Sequence, residues 1–391
     1  MADQPDGKGR RKRDPAIIAA WILGVLGVVG VVAGVLLTHV LEGSSQPSTA
    51  PSSPPVTANS PSVRQSAASP GVPIPVYPAS RLHDPDSAGV YGVAFSSSGT
   101  LAAGDLNGSG YLWDVAKDKV TGTFPDSNGE GIFGVALSPD GTMLAASTVN
   151  VHDGYRNGSV VVWNTSSGKL IDTLNGPNSR AFGSAPPAFS PDGSTVAAPN
   201  ANGSVYIWHT ATGKPAGTLP NQNGQSDYGI AFSPATGLLA SANDSGTTFL
   251  WNTKNDTIVQ MFQDPDRQAV RSVAFSPDGS TLAAGDLNGN VYLWNAATGA
   301  PMATLYGPKG GLVQSIAFSP RGGILAGTSD DVTDHKYVTC VWDTTGKLLA
   351  TFQDPGSLGV TRIAFSPDGS ILAVGDENGY TYIWNMNWHS S

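Results

Sequence analysis

The sequence predicts an all-β fold: a seven-bladed β-propeller of four-stranded antiparallel blades, preceded by one transmembrane α-helix and a disordered linker. Three observations support this. A motif recurs seven times at a spacing near 43 residues, each copy contains short stretches of strand pattern, and a 21-residue uncharged apolar segment lies near the N-terminus. Repeat periods of 20 to 50 residues are typical of solenoids and propellers.

The repeat is clearest between Val270 and Trp294. A large apolar residue near the end of the first strand recurs at Phe95, Leu137, Phe189, Phe232, Phe275, Phe318 and Phe365. A tryptophan follows in every copy, at Trp113, Trp163, Trp208, Trp251, Trp294, Trp342 and Trp384. The spacings of the first position are 42, 52, 43, 43, 43 and 47 residues. We interpret the seven tryptophans as structural residues of the repeat.

Each copy contains the pattern of four short strands. In the fifth copy, alternating residues from Val270 to Phe275 precede a Ser-Pro-Asp-Gly turn, in which proline presets φ and glycine accepts a positive φ. Asn288-Gly289 is typical of a hairpin turn. The other three strands are predicted at Thr281–Gly285, Asn290–Trp294 and Met302–Leu305. Seven such units closed radially leave few exposed sheet edges.

The ring is predicted to close by a strand swap. The seventh repeat ends at Trp384, and too few residues follow it for a turn and a fourth strand. Before the first repeat, Ser80–Asp86 matches Gln260–Asp266, the end of a fourth strand and its loop. We therefore expect Tyr77–His83 to pair with Tyr380–Trp384, because closure across the termini removes two open edges.

The repeats resemble the WD-repeat family of β-propellers over most of the chain. The Trp-Asp pair that names the family is present at Trp113-Asp114 and Trp342-Asp343, and in most other copies asparagine follows the tryptophan. The Gly-His pair of the family is absent, and asparagine replaces its turn aspartate. The resemblance therefore implies the propeller fold without the family's buried Asp-His-Ser-Trp network, and we expect apolar packing to hold the blades together.

Four segments are expected along the chain. Residues 1–14 form a basic cytoplasmic tail, 15–41 a transmembrane helix, 42–74 a Pro/Ser-rich disordered linker and 75–388 the propeller. Ile17–Leu37 would span about 31 Å as a helix, enough for a bilayer core. The basic residues before it place the N-terminus in the cytoplasm and the propeller outside, as in a signal-anchor protein of the cell membrane. A cleaved signal peptide is the alternative.

Glycines in the apolar segment raise the question of dimerisation through the helix. Gly30 and Gly34 have the spacing that lets two membrane helices approach closely, so a homodimer through the helix is conceivable. Glycine is also simply common in such helices, and we do not favour dimerisation.

The charge balance argues against nucleic-acid binding. The chain has a net charge of −9, and the five basic residues of the N-terminal tail leave an acidic remainder. The single cysteine, Cys340, excludes an intramolecular disulfide and is expected to be a buried small residue of a third strand.

No catalytic, cofactor-binding or metal-binding set emerges from the sequence. The six histidines are scattered, and no phosphate-binding glycine loop or nucleophile elbow occurs. Acids near Asp330 and His335 could gather around a cation, but a solvated loop is the commoner explanation. The first strands should line a central channel, with Arg271 and Arg362 as its only charges.

Two insertions mark the predicted binding face. The chain is longer than the minimal blade at Val149–Arg156 and at Asp330–Lys336, both between a second and a third strand. Binding residues concentrate on loops held by a rigid scaffold. The inserts supply the candidate partner-binding residues His152, Asp153, Tyr155, Arg156, Asp331, Asp334, His335, Lys336 and Tyr337.

Aspartates should surround the inserts on the same face. Loops between second and third strands and between blades carry Asp84, Asp105, Asp126, Asp264, Asp266, Asp286, Asp354 and Asp376. An acidic face would favour a basic protein or peptide partner. The alternative is that these aspartates cap turns and that both inserts are tolerated surface loops.

Two functions therefore remain from the sequence. The favoured one is a non-catalytic, membrane-tethered, extracytoplasmic scaffold that binds protein or peptide partners, without cofactors. The alternative is an envelope enzyme, a hydrolase or lyase, because propellers also host such chemistry. An enzyme would need titratable groups that converge in a pocket.

Overall fold

The computed structural model describes residues 78–150, 158–176, 185–220, 227–307, 311–331 and 336–387. They form seven separate four-stranded antiparallel sheets, and the only helix among them is a 3₁₀ turn, Val115–Lys117. The prediction of a seven-bladed propeller is confirmed. The apolar segment Ile17–Leu37 lies outside the described residues. Among the residues that the structure describes, no helix is long and apolar enough to cross a bilayer.

The blades follow one another along the chain. The first strand precedes the ring as β1 (Ser80–His83), and the four strands of blade 1 are β2 (Val90–Phe95), β3 (Leu101–Asp105), β4 (Ser109–Asp114) and β5 (Lys119–Pro125). Blade 2 contains β6 (Gly131–Leu137), β7 (Met143–Val149), β8 (Val160–Asn164) and β9 (Leu170–Leu174). Blade 3 contains β10 (Ala188–Phe189), β11 (Thr195–Pro199), β12 (Val205–His209) and β13 (Pro215–Leu219).

The remaining blades repeat this order. Blade 4 contains β14 (Asp227–Phe232), β15 (Leu239–Asn243), β16 (Thr247–Asn252) and β17 (Thr257–Gln263). Blade 5 contains β18 (Val270–Phe275), β19 (Thr281–Asp286), β20 (Asn290–Asn295) and β21 (Pro301–Tyr306). Blade 6 contains β22 (Ile316–Phe318), β23 (Ile324–Asp331), β24 (Lys336–Asp343) and β25 (Leu348–Phe352). Blade 7 contains β26 (Val360–Phe365), β27 (Ile371–Asp376) and β28 (Tyr380–Asn385).

The closing strand is β1, as predicted. Its residues pair antiparallel with the third strand of blade 7, with Ser80 opposite Ile383 and His83 opposite Tyr380. Leu82 of β1 is fully buried in the core shared by blades 7 and 1. The two ends of the propeller are therefore joined by backbone hydrogen bonds and by apolar packing. Tyr77, the first residue of the predicted pairing, lies outside the described residues.

The turn after each first strand explains the recurrent Ser-Pro-Asp-Gly sequence. In blade 5 the Ser276 hydroxyl donates to Asp278 and accepts from the Thr281 amide at 2.9 Å, and Gly279 has a φ of 69°. The hydrogen bond from Ser276 is the main reason why the pKa of Asp278 is lowered to about 2. The turn is thus held by an ionised aspartate at neutral pH.

The hydrophobic core lies between blades. The buried apolar residues fall into seven clusters, and each combines residues of two adjacent sheets. The seven repeat tryptophans, all at most 5% exposed, belong to these clusters. No blade could bury its own faces alone, so the ring stabilises each sheet by its neighbours.

Small residues allow the inner strands to approach closely. A Cβ added to Gly134 in β6 would lie 2.4 Å from the Cα of Pro186, in the segment that leads into blade 3. Pro186 and Pro187 precede the shortest first strand of the ring, as expected for prolines at an inner edge. Side-chain hydroxyls add bonds between blades: Ser272 accepts from the Ile316 amide at 3.0 Å.

Apolar packing holds the blades together as expected, and hydrogen bonds of two repeat tryptophans add to it. The Trp113 indole donates to Asp84 at 2.9 Å, and the Trp384 indole donates to Asp354 at 3.0 Å. Both aspartates come from the loop that enters the blade, so each bond links a loop to a third strand. The family's histidine-based network is replaced at these two interfaces by a tryptophan–aspartate pair, which no motif in the sequence revealed.

Candidate functional site

The two ends of the propeller differ in their loops. We call the end that carries the loops between second and third strands and between successive blades the insert face. The opposite face carries the turns between first and second and between third and fourth strands. Antiparallel pairing within every sheet fixes this division.

The structure describes more of the second insertion than of the first. Residues 151–157, with His152, Asp153, Tyr155 and Arg156, lie outside it. In blade 6 the insertion lengthens the hairpin of β23 and β24, in which Asp331 pairs with Lys336 and Asp330 with Tyr337. Asp334 and His335 are outside the described residues. Tyr337 is partly buried and packs against the core between blades 6 and 7, so its ring is not wholly available to a partner.

The predicted acidic ring on the insert face is not exposed. Seven of its eight aspartates are at most 7% exposed, and only Asp266 reaches the surface. Their carboxylates cap loops: Asp105 accepts from the Ala88 and Asn107 amides, and Asp376 accepts from Leu358 and Asn378. Burial raises the pKa of Asp84 to about 7 and of Asp354 to about 8. The turn-capping alternative is therefore correct, because buried carboxylates cannot serve as an acidic docking ring.

Exposed acids occur instead on the opposite face. The turns after the first strands present Asp140, Asp192, Asp278 and Asp368 to solvent, and a serine hydroxyl lowers the pKa of each. These four carboxylates are ionised at neutral pH. These turns therefore give the opposite face four exposed negative charges.

The central channel carries the positive charges that the sequence placed there. A cavity of 130 Å³ is lined mostly by glycine, valine, isoleucine and serine, and its charged lining residues are Arg271 and Arg362. Arg271 is the second residue of β18 and Arg362 the third of β26. Both strands begin at the insert face, since Val270 pairs with Asp286 and Val360 with Asp376. Both arginines therefore stand in the half of their strands that is nearer to the insert face.

The surroundings of the arginines leave hydrogen-bonding capacity. The guanidinium of Arg271 stacks 3.7 Å from the ring centroid of Tyr228, and its buried Nε–H makes no hydrogen bond with protein. Arg362 donates to the carbonyl of Gln314. Burial, together with the charge of Arg271, lowers the pKa of Arg362 to about 10, so Arg362 remains charged at neutral pH.

One carboxylate partly balances these charges. Asp244, in the turn between β15 and β16, accepts a hydrogen bond from Tyr228 and is attracted by the charge of Arg271. Burial nevertheless raises the pKa of Asp244. The channel thus holds two guanidiniums, of which Arg271 is the one that Asp244 is shown to balance. The remaining positive charge would attract an oxyanion. The sequence identified both arginines but not Tyr228, whose place beneath Arg271 depends on the contact between blades 4 and 5.

The described lining offers little for catalysis. Its hydroxyl groups are Ser272, Ser315 and Tyr228, and the first two accept bonds from backbone amides of the next blade. Among the described lining residues there is no histidine, cysteine or carboxylate that could act as a base or nucleophile. The arrangement is suited to holding a charged group, and it lacks the paired titratable groups of general acid–base chemistry.

Together, the closed ring and its loop-bearing channel mouth define a β-propeller of the repeat-built, four-stranded class. The family model described as "WD domain, G-beta repeat" matches residues 77–114, 118–164, 257–295, 299–333 and 346–385, just over half of the chain. The chain belongs to the WD40 repeat family. Blade 3 and most of blade 4 lie outside the matches but have the same four-stranded sheets.

Solved structures show the same fold. The chain is similar to one in a structure titled "Crystal Structure of Mitotic Checkpoint Complex", with 20% sequence identity and a TM-score of 0.68. The similarity covers 85% of this chain and 98% of that one. At such identity the likeness concerns the fold alone. A comparison with curated proteins found no match.

Proposed function

We propose that this WD40 propeller is a non-catalytic scaffold that binds a protein or peptide partner at the insert-face mouth of its channel. The observation that carries the proposal is the pair Arg271 and Arg362, set in a 130 Å³ cavity whose other described lining is small, apolar or aromatic. A rigid ring that presents a charged, partly desolvated pocket is typical of a binding site.

The chemistry of the pocket favours an acidic group of the partner. Arginine binds carboxylates through paired N–H donors, and such bonds are stronger than neutral ones. The buried Nε–H of Arg271 has no protein acceptor, so a carboxylate would satisfy a donor that now lacks one. The basic partner expected from the sequence loses most of its support on the insert face, because seven of the eight aspartates of the predicted ring are buried.

Neutralising the arginines tests this proposal. We expect the double variant R271Q/R362Q to fold but to lose partners recovered by the wild-type protein in affinity capture, and the wild-type recovery to fall with salt. D278N and D368N on the opposite face serve as controls that change charge without touching the channel. Unchanged recovery by R271Q/R362Q would place the binding site elsewhere.

We further propose that the propeller is tethered outside the cytoplasm by the apolar segment Ile17–Leu37. The support comes from the sequence: 21 uncharged residues follow the basic cluster of residues 1–14, and a Pro/Ser-rich linker precedes the propeller. Protease added to intact spheroplasts should remove the propeller, whereas protease in the cytoplasm should not. Full protection of the propeller in intact spheroplasts would contradict this topology.

The membrane tether and the channel site are separate proposals. Release of the propeller into the medium would favour the cleaved signal peptide without affecting the binding experiment.

A further inference from the structure

Three loops of the insert face each bring two buried aspartates together. The pairs are Asp84 with Asp105, Asp354 with Asp376, and Asp264 with Asp286. In each pair the first residue has a buried Oδ2 atom without a hydrogen-bond partner. In all three loops the next strand begins six residues after the first aspartate of the pair, so the loops can be compared position by position.

The loops before blades 1 and 7 share one arrangement of hydroxyl hydrogen bonds. In both, a serine hydroxyl donates to the second aspartate of the pair: Ser87 to Asp105 and Ser357 to Asp376. In both, a tyrosine hydroxyl donates to the carbonyl of the proline in the loop, at 2.9 Å in blade 1 and 2.6 Å in blade 7.

The loop before blade 5 has a different arrangement. Exposed Arg267 stands where the other loops have serine, and it takes the positive φ of 54° that falls one residue earlier in the other two. Tyr292 donates to the carboxylate of Asp266 at 3.0 Å instead of to a proline carbonyl. This contact holds a third carboxylate beside the buried pair.

The three carboxylates form a compact cluster. One oxygen of each of Asp264, Asp266 and Asp286 lies within 4.8 Å of the others. Asp264 and Asp286 are fully buried, whereas Asp266 is exposed and gives access from solvent. In the part of the chain that the structure describes, no salt bridge reaches any of the three. The Oδ1 atom of Asp264 accepts from the Asp266 amide, which leaves its buried Oδ2 without a donor.

We propose that Asp264, Asp266 and Asp286 form a divalent-cation site suited to Ca²⁺ between blades 4 and 5. Ca²⁺ prefers carboxylate oxygens and tolerates irregular geometry completed by water, whereas Mg²⁺ demands a near-ideal octahedron. A cation would satisfy the unpartnered Asp264 oxygen and offset the repulsion among three carboxylates. It would also tie the loop that enters blade 5 to the end of β19. Asp334 and His335, near which the sequence suggested a cation, lie outside the described residues.

The test compares two aspartates at the same loop position. Asp266 and Asp86 are both exposed and both lie two residues after the buried aspartate of their loop. The full-length wild-type protein, D266N and D86N are freed of cations with a chelator and titrated with Ca²⁺ by calorimetry and equilibrium dialysis. We expect wild type and D86N to bind one more Ca²⁺ than D266N, with a dissociation constant of about 0.1–1 mM, as in extracellular modules.

Stability gives a second readout. A tenfold excess of Ca²⁺ over its dissociation constant should raise the unfolding midpoint of wild type and D86N by about 2 °C but not that of D266N. D286N, which removes a second ligand, should behave like D266N. Equal Ca²⁺ binding by wild type and folded D266N, or no Ca²⁺ binding by wild type, would overturn the proposal.

Discussion

Replacing Asp354 by asparagine should remove a pH-dependent loss of stability. Burial, with the nearby charge of Asp376, raises the pKa of Asp354 from its ordinary 3.8 to about 8, although the hydrogen bond from Trp384 opposes the rise. Between pH 5 and pH 8 the folded protein therefore keeps a proton that the unfolded chain has released. A raised pKa stabilises the folded state at low pH, and this contribution is lost as the pH rises towards the folded value.

The size of the effect follows from the two pKa values. Holding nearly one extra proton across three pH units corresponds to about 3 to 4 kcal/mol of unfolding free energy. For a propeller of roughly 300 residues this is about 5 °C in the unfolding midpoint. The asparagine side chain of D354N would stay neutral at every pH, and its Oδ1 could still accept from Trp384. The variant should therefore lose less stability than wild type between pH 5 and pH 8.

The assay is urea or thermal unfolding of wild type and D354N at pH 5, 6, 7 and 8. D368N is the matched control in the same blade, because a hydrogen bond from Ser366 lowers the pKa of Asp368 to about 2. That residue is ionised across the range, so its replacement should shift stability by the same amount at each pH. If the stability of D354N declines with pH as steeply as that of wild type, the buried, protonated carboxyl is not the cause.

Two further predictions concern the ring itself. L82A should lower the unfolding free energy by about 2–5 kcal/mol, because Leu82 is fully buried in the closing strand. The control R81A, in the same strand, should lower it by less than about 1 kcal/mol. Similar values for both variants would count against closure by β1. G134A should lower the unfolding free energy by about 1–3 kcal/mol, since its Cβ would lie 2.4 Å from the Cα of Pro186. An unchanged denaturant midpoint would show that blades 2 and 3 can separate.

The fold could be read from the sequence because each blade carries its own local signals. In blade 5 the predicted strands and the observed β18 to β21 differ by one residue at most at each end. The Ser-Pro-Asp-Gly turn and the alternating apolar residues both lie close together in the chain, so each blade's pattern can be recognised by itself. The strand swap could also be predicted from the sequence, because Ser80–Asp86 matches Gln260–Asp266, the end of another blade's fourth strand and its loop.

The site was predicted only in part, for a physical reason. Arg271 and Arg362 stand in first strands, so topology alone put them in the channel. The aspartates of the insert face were assigned to the right loops, but sequence position does not tell whether a carboxylate points into its loop or into solvent. Asp84 illustrates this: its partner Trp113 is 29 residues away, and only the packed blade brings the two together.

Photo-crosslinking at the channel mouth tests the central claim most directly. A photoreactive phenylalanine analogue at Tyr228, which stacks beneath Arg271, is compared with the same residue at Tyr306, which is 66% exposed on an outer strand. The account predicts partner adducts in cells from position 228, lost when Arg271 and Arg362 are both changed to glutamine, and none from position 306. Adducts from position 306 alone, or adducts at 228 that persist without the arginines, would contradict binding at the channel.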